Sequence, residues 1–364
     1  MAEVRPFRAL RYDPRRVQPS AVICPPHDLI NEELRQRLRR RSPYNAVWLT
    51  LGSDRDWPES EYALVAERLR SWRREGVLVQ DPVPSFYLLE QRWPGGQRRG
   101  LVCLLRVGPE VMPHERTFAE VSEGRLRLLR ACRAQFSPIL LVWRDAEVGL
   151  AAALRPDGEP LLEAVDDEGV LHRLFRAADG QLAERLRDAP LLLADGHHRY
   201  EVTRRLGEPY VLACLCPLEL TPVLSTPRVV RRRPPEGWWR HLPVRPCSLD
   251  EALRPDPGRV GIWQDGQAFL AEAPERPEVV ALERLLVSLW GRDTARLAAE
   301  GCLTVLHDNA LAHRLARRQG AMAFLLPPLD REALWEVVRR GERLPQKSTY
   351  FFPKVPSGLL IREL

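Results

Sequence analysis

Residues 191–200 read Leu191-Leu192-Leu193-Ala194-Asp195-Gly196-His197-His198-Arg199-Tyr200. The first four are an apolar run of strand length. The segment from Glu201 to Leu206 is helix-forming and is stopped by Gly207. The pattern predicts a buried strand, a break at Asp-Gly and a short helix. A chain that leaves a strand through glycine and enters a helix gathers its first backbone N–H groups at one point. The helix dipole favours negative charge there, and two histidines and an arginine stand beside it. Asp195 can cap that helix or act as a functional acid. The clustering of His197, His198 and Arg199 after Asp-Gly favours function, as an anion site.

Outward from this motif the chain mixes hairpins and helices. Asn31 is a fair N-cap for a helix over 32–41, and Pro58 starts an amphipathic helix that carries Tyr62, Val65, Ala66, Leu69 and Trp72 on one face. Phe86 to Gln91 and Leu101 to Val107 read as strands joined by Pro94-Gly95-Gly96. Val47 to Leu51 reads as a strand, 121–133 as a helix, and Ile139 to Trp143 and Val211 to Cys216 as strands. Cys214 and Cys216 then share one face, as core. Gln264-Asp265-Gly266 marks a second hairpin. Such a mixture predicts an α+β fold, a mixed sheet with helices, in two domains. The double proline at Pro234-Pro235 sets the expected boundary. On this boundary, residues 1–235 are expected to form a phosphate-binding catalytic domain, 236–343 a smaller α+β domain, and 344–364 an extended segment that completes the site.

The 364 residues are 45% hydrophobic and 29% charged, with no apolar stretch of transmembrane length and no signal-peptide core at the start. Seven scattered cysteines fit a reducing compartment, so a cytoplasmic protein without membrane partners is expected. The net charge is +6, but the arginines are spread along helices. That spread reads as a solvated basic surface and not as a nucleic-acid groove. Lysine is the sharper signal. It occurs only at Lys347 and Lys354, both within 346–354, where a compact ammonium is preferred to a guanidinium.

Three further clusters carry chemistry. His114-Glu115-Arg116-Thr117 offers a base or metal ligand beside a cation, or else is a solvated loop or helix start. Pro25-Pro26-His27-Asp28 is a rigid loop in which Asp28 points at a ligand or caps the next helix. Lys347-Ser348-Thr349 lacks the upstream glycines of a Walker loop, yet a lysine and two hydroxyls after a helix make an anion clamp. No Gly-x-Ser-x-Gly, His-Glu-x-x-His or Gly-x-Gly-x-x-Gly signature is present, which argues against the common hydrolase, zinc-protease and dinucleotide folds.

In this order the clusters resemble a bacterial and archaeal family, domain-of-unknown-function family 1015. The resemblance rests on Pro6-Phe7-Arg8-Ala9-Leu10, Pro25-Pro26-His27-Asp28, Ser42-Pro43-Tyr44-Asn45, His114 to Thr117, Ala194 to Tyr200 and Pro345 to Lys354, and so spans nearly the whole chain. The stretch Gly196 to Arg199 is similar to the Gly-x-x-Arg phosphate motif of the ParB and sulfiredoxin superfamily, and to an Asp-Gly-His-x-Arg stretch of free-serine kinases. The chain departs from the family pattern at His27, where tyrosine is usual. It departs again in the short segment after Leu206 and at Pro227 before Arg228.

The resemblance implies a ParB/sulfiredoxin-like phosphate-binding element and a phosphotransferase acting on a small polar metabolite. Free-serine kinase-like or phosphoserine-related chemistry, within serine metabolism, is the most concrete version. Gly196, His197, Arg199, Arg116, Lys347, Ser348 and Lys354 would bind phosphate. Glu115, Asp195 and His198 form the catalytic set, with Glu115 or Asp195 deprotonating a hydroxyl or holding Mg²⁺. Asp28, His114 and Arg228 would contact substrate. Mg²⁺ and a nucleotide or another phosphoryl donor are the implied cofactors, and a phosphorylated metabolite or nucleotide the implied partner. The alternative is a ParB-like, nucleotide-dependent nucleic-acid-binding or sensing protein without turnover. No helix-turn-helix is legible after residue 235, and nucleic acid is not the expected partner.

Overall fold

Strand Phe86–Trp93 turns at Pro94-Gly95 into strand Gly96–Arg106, and this hairpin is the middle of a nine-stranded sheet. The computed structural model describes residues 2–51, 57–115, 119–177, 184–187, 189–240 and 242–364. The central run of the sheet is Leu191–Asp195, Ile139–Trp143, Tyr210–Pro217, Gly96–Arg106, Phe86–Trp93, Leu171–Ala177 and Leu162–Val165. Ile139–Trp143 and Tyr210–Pro217 run parallel while the hairpins are antiparallel, so the sheet is mixed and the fold is α+β.

The chain falls into two compact units. The first comprises residues 1–112, 117–221 and 353–364, and the second 113–116 and 222–352. The expected boundary lay at 235. The chain passes to the second unit at Thr221–Pro222, because Arg228–Val230 is a strand of that unit's sheet. The 344–364 segment is divided at Phe352–Pro353.

In the first unit, every residue of Ile139–Trp143 is buried, as are Leu191 to Ala194. Strands covered on both faces read as unbroken apolar runs, which is why the segment before Asp195 was legible. Leu101, Leu141, Trp143, Leu191, Leu193 and Leu215 pack in one core. Burial of each such side chain contributes about 1.5–3 kcal/mol. Cys214 and Cys216 share one face, with their sulfurs 3.8 Å apart, and only glycine fits opposite them: a Cβ on Gly100 would lie 2.5 and 2.7 Å from the two sulfurs. Helix Ala119–Cys132 packs on helix His197–Arg205 through Leu126, Leu129 and Val202.

Asn31 caps Glu32–Arg41, accepting from Leu34 N–H at 2.9 Å. Val47–Thr50 is a helical turn and not the expected strand. Asn45 explains it: its Oδ1 accepts from Val47 N–H at 2.9 Å, while its Nδ2 donates to the carbonyls of Ala21 and Ile23. This side-chain anchoring and the burial of Val47 and Leu49 override the β-propensity of the segment.

The second unit has a six-stranded antiparallel sheet ordered Val244–Pro246, Gln267–Glu272, Arg259–Gln264, Met322–Leu325, Arg228–Val230 and Leu303–Val305. Helix Asn309–Gln319 lays Ala312 and Ala316 on Val229, Trp263, Ala323 and Leu325. The hairpin at Asp265-Gly266 forms as expected, with φ of 47° and 83° at the two residues. Val223–Leu224 pairs with Tyr350–Phe351. No helix among the described residues is long and apolar enough to cross a membrane.

Candidate functional site

Strand Leu191–Asp195 loses register against Ile139–Trp143 between Leu193 and Asp195, and the chain turns at Gly196 with φ +90°. A Cβ at Gly196 would sit 2.7 Å from Ile139 Cγ2 and 2.9 Å from Arg199 Cζ, so both the dihedral and the space demand glycine. Helix His197–Arg205 starts at Gly196 without a side-chain cap, and places His197, His198 and Arg199 in its first turn.

Asp195 is therefore not the helix cap. Its Oδ1 accepts from Lys354 Nζ at 2.6 Å and its Oδ2 from Arg199 Nη2 at 2.5 Å. Burial alone would raise its pKa, but these two cations outweigh burial and hold the carboxyl far below the usual carboxylate range. A carboxylate so paired is a poor general base and a good organiser of charge. Arg199 is fixed at its other end as well: Nη1 donates to Ser137 Oγ at 3.0 Å and to the Pro138 carbonyl.

Lys354 is positioned through its backbone. Arg98 Nη2 donates to the Pro353 carbonyl at 2.5 Å, and Gln91 Nε2 to the Lys354 carbonyl at 2.9 Å. Gln91 lies 3.2 Å from His172 Nδ1, and His172 Nε2 lies 2.8 Å from Asp166 Oδ2. All of these residues belong to the first unit.

The same unit holds a cavity of about 70 Å³, lined by His27, Arg125, Ser137, Arg199, Val202 and Thr203 among others. Burial pushes the His27 imidazole well below its ordinary pKa, and the charges of Arg125 and Arg199 push it further. His27 is thus neutral. Of this loop, the expected Asp28 is exposed, and His27 lines the cavity. His27, Arg125 and Ser137 were missed. The signals available were the departure from tyrosine at 27 and an arginine at 125, ahead of the apolar Leu126, Leu128 and Leu129.

The remaining expected residues form a second network, in the second unit. Glu115 Oε1 accepts from the N–H groups of Ser348 and Thr349 and from Thr349 Oγ1, each at 3.0 Å, and Oε2 accepts from Lys347 N–H at 3.2 Å. Lys347 has φ +57°, which turns the three N–H groups toward one point. The anion held in this nest is the chain's own carboxylate. His114, fully buried, lies 2.7 Å from Thr349 Oγ1 through Nε2. Arg228, also fully buried, donates to the carbonyls of Lys347, at 2.8 Å, and Thr226. Burial lowers its pKa to about 10, so it stays charged at neutral pH.

The expected site residues therefore divide. Asp28, Asp195, Gly196, His197, His198, Arg199 and Lys354 belong to the first unit. His114, Glu115, Arg228, Lys347 and Ser348 belong to the second. Arg116 lies outside the described residues. Among the described residues no group of three or more His, Cys, Asp or Glu is arranged to hold a metal. Mg²⁺ takes oxygen ligands, and the carboxylates of Asp195 and Glu115 are both engaged by N–H donors.

A family model described as "Protein of unknown function (DUF1015)" matches residues 4–236. The chain belongs to the DUF1015 family. No curated protein matches this DUF1015 chain. Among solved structures, it is similar to a point variant of free serine kinase in complex with ADP, at 13% identity over 72% of this chain and 91% of that one, with a TM-score of 0.46. It is also similar to SbnI with a C-terminal truncation from Staphylococcus aureus, at 15% identity over 70% and 87%, TM-score 0.42. A conserved hypothetical protein from Pyrococcus furiosus is similar at 13% identity over 71% and 94%, TM-score 0.42. The 195–200 segment, within the matched range, gathers charge in the first unit: a helix start without a side-chain cap, two imidazoles, and an acid held between two cations.

Proposed function

We propose that the 195–200 turn binds the phosphate of a small phosphorylated metabolite or nucleotide, and that the protein is a phosphotransferase acting on a small polar metabolite, of the free-serine kinase or phosphoserine-related kind. The observation that carries this reading is the helix start at Gly196. It has no side-chain cap, and His197 and His198 stand in its first turn. Backbone N–H groups, the helix dipole and imidazole donors there suit a phosphate oxygen. On this reading Asp195 keeps Arg199 and Lys354 in place, and His198 is the group that moves a proton. Glu115, held by four hydrogen bonds, is scaffold.

Titration calorimetry of the full chain with inorganic phosphate, pyrophosphate, ADP and O-phosphoserine, with and without Mg²⁺, tests it. The expected result is saturable binding of at least one of these ligands that weakens at least about tenfold in His197→Ala. Absence of binding by all four overturns the proposal.

A further inference from the structure

The cavity in the first unit is lined mostly by residues outside the phosphate turn, with Arg199 shared by both. Arg125 and Arg199 line it, Arg199 being ion-paired with Asp195, and none of the described residues lining it is acidic. Arg125 is 8% exposed and donates through Nη1 to the Thr50 carbonyl at 2.7 Å. The Nε of Arg199 is buried and makes no hydrogen bond among the described residues. Ser137 Oγ accepts from Arg199, which leaves its own O–H to donate. Leu129, Val202 and Val211 make the other side of the lining apolar.

Size restricts the occupant. A volume of about 70 Å³ holds about five water-sized groups. That is enough for a hydroxy acid of three carbons. The Arg125 guanidinium suits a carboxylate and Arg199 adds its Nε–H, while the apolar side suits a short carbon skeleton. A neutral His27 adds a donor or acceptor without repelling a cation.

We infer that this cavity binds a small organic carboxylate, held by Arg125, Arg199 and Ser137, as the non-phosphate half of the ligand. The inference deepens the phosphotransferase reading and rests on it for the word substrate, but the binding claim stands by itself. It narrows the substrate class to short carboxylates that carry a hydroxyl or its phosphate ester.

Calorimetric titration of the full chain with lactate and with lactamide tests it, since the pair differs in charge and hardly in shape. Lactate is expected to bind saturably and lactamide at least about tenfold more weakly. Arg125→Met is expected to lose lactate binding while inorganic phosphate still binds. Phosphate binding without lactate binding overturns the carboxylate site and leaves the turn intact. Lactate binding without phosphate binding does the reverse. Equal affinity for lactate and lactamide also overturns it. Because Arg125 is buried and its variant can unfold, ring resonances of His27 in the wild-type chain give a second readout. Lactate should shift them and raise the His27 pKa, and saturating lactate that leaves them unmoved contradicts the cavity assignment.

Discussion

The Lys354 ammonium lies 2.6 Å from one oxygen of Asp195, and the Arg199 guanidinium 2.5 Å from the other. Both Lys354 and Asp195 side chains are 12% exposed, so solvent screens this pair little. Lys354→Met should cost about 3 kcal/mol of stability in urea unfolding, because it leaves a buried carboxylate with one cation in place of two. Adding Asp195→Asn to that variant should recover part of the loss. A single-variant cost below about 0.5 kcal/mol would show that the pair contributes nothing beyond an exposed ion pair.

His27 sets a pH dependence of known sign. Its folded pKa is lowered by burial and by Arg125 and Arg199, so the unfolded chain takes up the proton first. Stability from this group is complete above the unfolded value of about 6.5 and is lost as pH falls below it, by at most about 1.4 kcal/mol per pH unit. Unfolding midpoints between pH 7.5 and 5 check this. His27→Gln should flatten the slope that the wild type shows there, and an unchanged slope contradicts the assignment.

Gly196→Ala should destabilise the protein by about 1–3 kcal/mol. The φ of +90° is unfavourable for alanine, and its methyl group would press on Ile139 Cγ2 and Arg199 Cζ. Thermal melting measures the loss. The same variant should bind phosphate ligands more weakly, since the helix start moves with the turn.

Glu115 separates scaffold from base. Glu115→Ala leaves three backbone N–H groups without their acceptor, at about 1–3 kcal/mol for each one that water does not reach. Glu115→Gln keeps an oxygen in the nest and should retain most of the wild-type stability. Urea unfolding of both variants decides: equal stability of the two would remove the nest as Glu115's role.

Much of the fold was legible because it is local. Asn31 and the 32–41 helix, the Pro94-Gly95 and Asp265-Gly266 hairpins and the strand–Gly196–helix turn are each written within a few residues. The 47–51 segment was misread because Asn45, outside the apolar run, decides it through contacts with Ala21 and Ile23. The site was only half legible for a related reason. Lys347 and Lys354 are seven residues apart, yet one supplies a backbone donor to Glu115 and the other an ion pair to Asp195, in different units. Clustering in sequence suggested one clamp, whereas each partner is set by contacts more than a hundred residues distant. His27 and Arg125 come together in a cavity by the same long-range packing, which no local pattern records.

The most direct test of the phosphate turn is a calorimetric titration of pyrophosphate into three proteins at low ionic strength, where charge is least screened. Wild type and Lys347→Ala should bind alike, and His197→Ala/His198→Ala should bind at least about tenfold more weakly. Binding that survives loss of both histidines, or that disappears with Lys347, would contradict the placement of the phosphate site at residues 195–200.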